Sequence, residues 1–216
     1  MSGSVLRSAI GWLFAAAVIA VGLGLASARV QQSFAPLGLY PVLLGLALGA
    51  ALVAALRFTQ FGNRRWATVG AVVAAAVLMV AQFYGSYRLY VAALEAKSPA
   101  TMGRIPLERL QPPEHLGAYL RQQAAHGRPL FAGLTARGGW AWATWATDWA
   151  LCAVAAAVAV RQGFRRPWCT RCHKWYRAVG EGHLSRETAG QIAKLADVSL
   201  PKMDGRYRVW ACPTAG

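Results

Sequence analysis

Long apolar runs alternate with short polar segments along most of the chain. Four runs are long enough to cross a bilayer as helices, since a hydrocarbon core of roughly 30 Å needs about 20 mainly apolar residues. These runs span residues 9–27, 37–56, 67–92 and 140–160. None has a polar face at a 3.6-residue period, so we expect all four to contact lipid or one another. The pattern predicts an all-α membrane protein with four transmembrane helices.

The composition supports this prediction. Apolar residues make up 56% of the 216 residues and charged residues only 14%, so most of the chain cannot be the surface of a soluble globule. The first run has an alternative interpretation as a cleaved signal peptide, because "ASA" before Arg29 resembles a signal-peptidase site. The apolar region of a signal peptide is usually only about 7 to 15 residues long. This run is longer, and we expect it to remain as a helix.

Basic residues between the runs predict the orientation of the helices. The short connection after the second run carries Arg57, Arg64 and Arg65, and the segment after the fourth run opens with several arginines. Cytoplasmic segments carry such an excess of Lys and Arg. Trp and Tyr, which collect at membrane interfaces, cluster where the third run ends and the fourth begins. We therefore predict a protein of the bacterial inner membrane with both termini in the cytoplasm.

The connection of residues 94–137 is predicted to be an extracytoplasmic loop. Five prolines divide it into short pieces. Between them, Leu116, Tyr119 and Leu120 lie on one face of a short helix. We expect this helix to rest on the membrane surface or to cap the helix bundle. The alternative is a loop that binds a ligand or a partner.

Asp148 is an acidic residue within the fourth run. Ionisable groups inside a bilayer are costly and often functional. The sequence pattern shows no comparable basic partner at the same depth, and no helix is broken in mid-span as in many transporters. We expect Asp148 to hydrogen-bond to a neighbouring helix or to interfacial water. A transporter or channel component that uses Asp148 is the alternative.

Gly45 and Gly49 form a G-x-x-x-G pair in the second run. Small residues four positions apart allow two helix backbones to approach closely. We expect this pair to pack the helices of one chain together rather than to mark a homodimer. The pattern makes no prediction of the oligomeric state.

The chain changes after Val160 to a small polar module, residues 161–216. A turn with two cysteines precedes a predicted strand around Trp175 and Tyr176, and "RYRVWACP" predicts a second strand. Between them, "SRETAGQIAKLADV" is typical of a helix with Ser185 as its N-cap. A unit of this size buries little apolar surface, and a metal often stabilises such units. The predicted module is therefore α+β and metal-binding.

Three cysteines of this module have a spacing that suits a metal. Cys169 and Cys172 are separated by two residues and can converge on one tetrahedral ion, and Cys212 can reach the same ion from the later strand. The layout resembles a zinc ribbon, in which two cysteine-containing knuckles on neighbouring hairpins share a structural zinc. The resemblance covers residues 167–216. It departs from the family's C-P-x-C-G knuckle at Ala215, where the family has a cysteine.

The resemblance leaves the fourth ligand open. Either His173 or His183 completes the site, or the natural chain continues past Gly216 to a further cysteine, or the module has lost its metal. His183, in the predicted turn "GEGHL", has more freedom to reach the site than His173, which is adjacent in sequence to a ligand. The candidate zinc ligands are therefore Cys169, Cys172, Cys212 and His183.

A thiol redox centre is the alternative interpretation of Cys169 and Cys172. Thioredoxin-like pairs lie at the start of a helix, whereas this pair precedes strand-like residues and has a third cysteine farther along the chain. Structural zinc is therefore the favoured interpretation.

The motifs do not indicate an enzyme, since no nucleophile elbow, P-loop or dinucleotide fingerprint occurs in the sequence. The module has eleven basic residues against four acidic ones. That excess favours binding to anionic lipid headgroups or to a protein partner. Binding to nucleic acid is not expected, because the sequence has no base-reading motif. We predict a non-enzymatic scaffold or regulatory protein. The whole layout resembles bacterial multi-pass membrane proteins of unknown function that carry such a tail.

Overall fold

The computed structural model describes residues 3–31, 38–96, 113–129, 134–169, 172, 174–185, 187 and 205–212. The chain divides into two units, Met1–Gly163 and Phe164–Gly216. The first is almost entirely helical, and the second has small two-stranded sheets. Each unit is described in turn.

Four long apolar helices dominate the first unit, as the sequence predicted. They are α1 (Gly3–Gln31), α2 (Leu39–Phe58), α3 (Arg64–Glu95) and α5 (Gly139–Gly163). Each contains a segment that is long and apolar enough to cross a membrane. All four helices end beyond the predicted runs, and three of them also begin earlier, whereas α2 begins two residues later than predicted. The ends differ because backbone hydrogen bonds and caps, not hydropathy, determine where a helix starts and stops. For example, the Asn63 side chain accepts from the N–H groups of Arg65 and Trp66 and starts α3 earlier than predicted.

Small residues bring the long helices together in pairs. A side chain at Gly24 of α1 would meet the backbone of Leu78 in α3, and one at Gly85 of α3 would meet Ala28 in α1. The contacts advance in the same direction along both helices, so α1 and α3 run parallel. Helix α2 packs on α5 in the same way. Lipid offers no hydrophobic drive for association, so close backbone approach and its van der Waals contacts supply the stabilisation.

The segment between α3 and α5 contains a short helix, α4 (Leu116–His126). It also contains a pair of antiparallel two-residue strands, β1 (Arg128–Pro129) and β2 (Thr135–Ala136). The amphipathic helix predicted around Tyr119 is therefore present. Tyr119 is buried, and its ring lies 5.7 Å from the ring of Tyr87 and 5.4 Å from that of Tyr90, between centroids. Because both partners belong to α3, α4 packs against the end of that helix.

The second unit contains two separate antiparallel hairpins. Strand β3 (Trp168–Cys169) pairs with β4 (Lys174–Trp175), and β5 (Arg177–Leu184) pairs with β6 (Gly205–Ala211). Strands are present at both predicted segments, but Tyr176, which was expected in the first strand with Trp175, lies between β4 and β5. The helix predicted from Ser185 lies almost wholly outside the described residues. His183, which the sequence placed in a turn, lies instead in β5 opposite Arg206.

Candidate metal centre

The two hairpins of the second unit bring three cysteines together. Cys169 ends β3, Cys172 lies in the turn before β4, and Cys212 directly follows β6. The pairing of Arg177 with Ala211 sets the register of the longer hairpin. That register carries Cys212 back to the short hairpin, although it is forty residues later in the sequence than Cys172.

The distances between the cysteines suit a single ion. All three Sγ atoms lie within 4.8 Å of one another. A tetrahedral zinc with Zn–S bonds of about 2.3 Å separates its sulfur ligands by about 3.8 Å, so a modest adjustment closes the site. Cys169 is buried, at 9% exposure, and the other two are partly exposed. This cluster can hold a metal ion, as the sequence predicted.

Aromatic side chains support the short hairpin behind the cysteines. The Trp168 ring lies 5.1 Å from that of Trp175 in an edge-to-face contact, and the Phe164 ring also lies 5.1 Å from the Trp175 ring, between centroids. The backbone N–H of Tyr176 donates to the carbonyl of Pro167 at 3.1 Å. A hydrogen bond with Cys169, followed by the charge of that sulfur, raises the pKa of the Tyr176 hydroxyl. These contacts fix the hairpin that positions Cys169 and Cys172.

The structure does not bring His183 to the cysteines. It is exposed and lies opposite Arg206, near the end of the β5–β6 ladder remote from Ala211. It lies six positions along β5 from Arg177, a distance of about 20 Å at 3.3 Å per residue. His173, the other histidine considered as the fourth ligand, lies outside the residues that the structure describes.

Asp148, the acid in the fourth run, has a partner that the sequence pattern did not indicate. The Arg128 guanidinium donates from Nη1 to its Oδ2 at 2.5 Å, and the two side chains are only 16% and 11% exposed. Arg128 belongs to β1, so its depth could not be inferred from hydropathy alone. The expectation that Asp148 lacks a basic partner is therefore wrong, because the loop folds onto the bundle.

Gln82 of α3 is a further buried polar residue near Asp148 and was not predicted. It is 3% exposed, and its Nε2 donates to Oε1 of Gln31 in α1 at 2.7 Å. Its own Oε1 has no partner among the described residues. A cavity of about 20 Å³ is lined by Gln82, Asp148 and Arg128. That is room for about one water. The sequence feature that could have indicated this buried residue is a single glutamine within an otherwise apolar run.

Gly45 and Gly49 lie on the face of α2 that contacts α5, and both are buried. A side chain at Gly45 would clash with the carbonyl oxygen of Cys152, and one at Gly49 would meet Ala159 and Ala156. Both glycines therefore serve close packing within one chain.

Comparison of the chain with protein-family models, with curated proteins and with solved structures found no match.

Proposed function

We propose that this chain is a non-enzymatic scaffold or regulatory protein of the bacterial inner membrane, with both termini in the cytoplasm. The four long apolar helices support the membrane assignment. The connection between α2 and α3 carries Arg57, Arg64 and Arg65, and further arginines follow α5. This excess of basic residues supports a cytoplasmic location for that connection and for the tail. The tail is the part that acts on a partner.

We propose further that the tail is held folded by one structural zinc bound to Cys169, Cys172 and Cys212. The single observation that carries this proposal is the convergence of three Sγ atoms within 4.8 Å. A redox centre needs only two thiols, so a third cysteine brought back by a separate hairpin favours metal binding. Soft thiolates select zinc among the common divalent ions, and the reducing cytoplasm keeps them reduced.

The longer hairpin offers the docking surface. Val179 and Val209 are 62% and 47% exposed on β5 and β6. Arg208 lies over the Trp210 ring at 5.8 Å and forms an exposed ion pair with Glu181. Exposed apolar and aromatic groups beside a net basic charge suit an acidic protein surface or the membrane. Nucleic acid is not proposed as a partner.

Elemental analysis of the purified full-length chain tests the metal assignment. We expect one zinc per chain and its loss in a Cys169→Ser, Cys172→Ser double variant. Cys152→Ser is the matched control, because Cys152 is buried in α5 and belongs to the helical unit. A reversible disulfide between Cys169 and Cys172, with little bound metal, overturns the assignment in favour of a thiol redox protein.

The contacts of Asp148 favour an architectural role for this residue over transport. Its carboxylate is neutralised by Arg128, and the adjoining cavity has room for about one water. A transport path needs a larger water-filled space. A transporter also needs an ionisable group that can exchange one partner for another as the substrate binds and leaves.

A further inference from the structure

Helices α1 and α3 form an apolar groove that the proposed function does not use. Its volume is about 650 Å³, within the range of about 300–1,000 Å³ that is usual for small-molecule sites. Small residues leave the space, namely Ala16, Ala17, Gly70 and Ala74. Larger residues such as Leu13 and Val73 form its walls. Both helices are long and apolar enough to span a membrane. An acyl chain is therefore the natural occupant of the apolar part.

The groove has a polar end at the start of α3, and two arginines are adjacent in sequence to the residues that line it there. Asn63 and Trp66 line it there, and Arg64 and Arg65 lie between them in the sequence. Both arginines are exposed, and Trp66 is 66% exposed. Trp at this position fits the membrane interface, and paired arginines at that level attract anionic headgroups. The apolar groove and these two arginines occur together at the start of α3.

Trp12 forms a fixed wall of the groove. It lines the groove, is 1% exposed and stacks on Phe61 at 5.4 Å between ring centroids. Its ring packs so closely on Gly70 that a side chain at that position would clash with it. The space between α1 and α3 is therefore bounded by rigid aromatic rings at this point, and its apolar lining suits an acyl chain.

We propose that this groove is a binding site for one anionic phospholipid. An acyl chain lies along the small residues of α1 and α3, and the headgroup phosphate lies at Arg64 and Arg65. A zwitterionic lipid fills the same apolar space but gains less from the two arginines. A second copy of the chain brings its own basic residues to the same end and meets repulsion there.

Native mass spectrometry of the full-length protein in mild detergent tests this proposal. The probes are phosphatidylglycerol and phosphatidylcholine with identical acyl chains, added in turn to delipidated protein. We expect one phosphatidylglycerol per chain, bound about tenfold more tightly than phosphatidylcholine. Arg64→Gln with Arg65→Gln should remove that preference, whereas Arg29→Gln, an exposed arginine of α1 outside the groove, should preserve it.

A groove-filling variant tests the apolar part with a matched control. Val73 lines the groove at 56% exposure, and Val80 lies two turns later on α3 at 60% exposure without lining it. Val73→Trp should abolish the bound lipid, and Val80→Trp should retain it. Equal binding of the two lipids, equal loss in both tryptophan variants, or a dimer that disappears in Val73→Trp alone would each overturn the proposal.

Discussion

At the scale of single residues, the structure changes the interpretation of Asp148 most. The sequence shows an acid in an apolar run, which is consistent with both a structural and a transport role. The structure adds Arg128, which comes from a hairpin twenty residues earlier and meets the carboxylate in a largely buried site. No local pattern encodes this contact, because it depends on how the loop folds over the helices.

Removing one member of this ion pair should destabilise the helical unit strongly. Arg128→Met leaves a buried carboxylate without its counter-charge, which typically costs about 3–5 kcal/mol. Replacing both partners, as Arg128→Met with Asp148→Leu, should recover most of the loss because no buried charge remains. Arg137→Gln, at an exposed position near β2, is the control and should change stability by less than about 0.5 kcal/mol. Thermal unfolding in detergent compares the three variants with the unsubstituted protein, and a double variant as unstable as Arg128→Met contradicts the prediction.

The candidate metal ligands give a second prediction at this scale. Cys212→Ser should lower the zinc content of the full-length chain, because Cys212 is one of three sulfur atoms at the site. His183→Ala should leave the zinc content unchanged, since that histidine lies about 20 Å along the strand from the cysteine end. Elemental analysis of the two variants decides the matter. Loss of metal in His183→Ala would show that the histidine is a ligand after all.

At the scale of elements, sequence patterns predicted the four long helices and both strand segments of the tail. Hydrophobic periodicity carries that information because each element buries or exposes its own side chains. The cysteine spacing also indicated a shared metal site. What the patterns missed was register: His183 was assigned to a turn, but the β5–β6 pairing extends through Leu184 and fixes it opposite Arg206. Cross-strand pairing depends on residues more than twenty positions apart, which no local window contains.

Helix packing gives a prediction with a control inside the chain. Gly45→Ala should lower the thermal stability of the detergent-solubilised protein, because the added methyl group clashes with the Cys152 carbonyl oxygen of α5. Overpacking of this kind typically costs about 1–3 kcal/mol. Gly22→Ala adds the same methyl group to α1 where nothing lies within 4 Å. It should be neutral or stabilising, since Ala has the higher helix propensity. Equal effects of the two substitutions would refute the packing role.

At the scale of the whole molecule, the two units obtain their stability from different sources. The helical unit depends on close helix packing and buried leucines such as Leu48, Leu52 and Leu78. The tail has two short hairpins and a cysteine cluster. A chelator should therefore unfold the tail and leave the helices intact, because structural zinc supplies folding free energy directly. Limited proteolysis after chelation should release fragments from the region after Gly163 only. Cleavage that is indifferent to the chelator contradicts a structural metal.

Topology is the remaining prediction at this scale, and the proposed cytoplasmic role of the tail depends on it. Green fluorescent protein fused after Gly216 should fluoresce, because it folds in the cytoplasm but not after export in the unfolded state. Alkaline phosphatase fused between residues 97 and 112, in the connection predicted to be extracytoplasmic, should be active, because its disulfides form outside the inner membrane. The opposite pattern would place the cysteines in an oxidising compartment, where a disulfide competes with metal binding. The topology and the zinc content are therefore linked: an exported tail removes the basis for the zinc assignment as well as for the cytoplasmic partner.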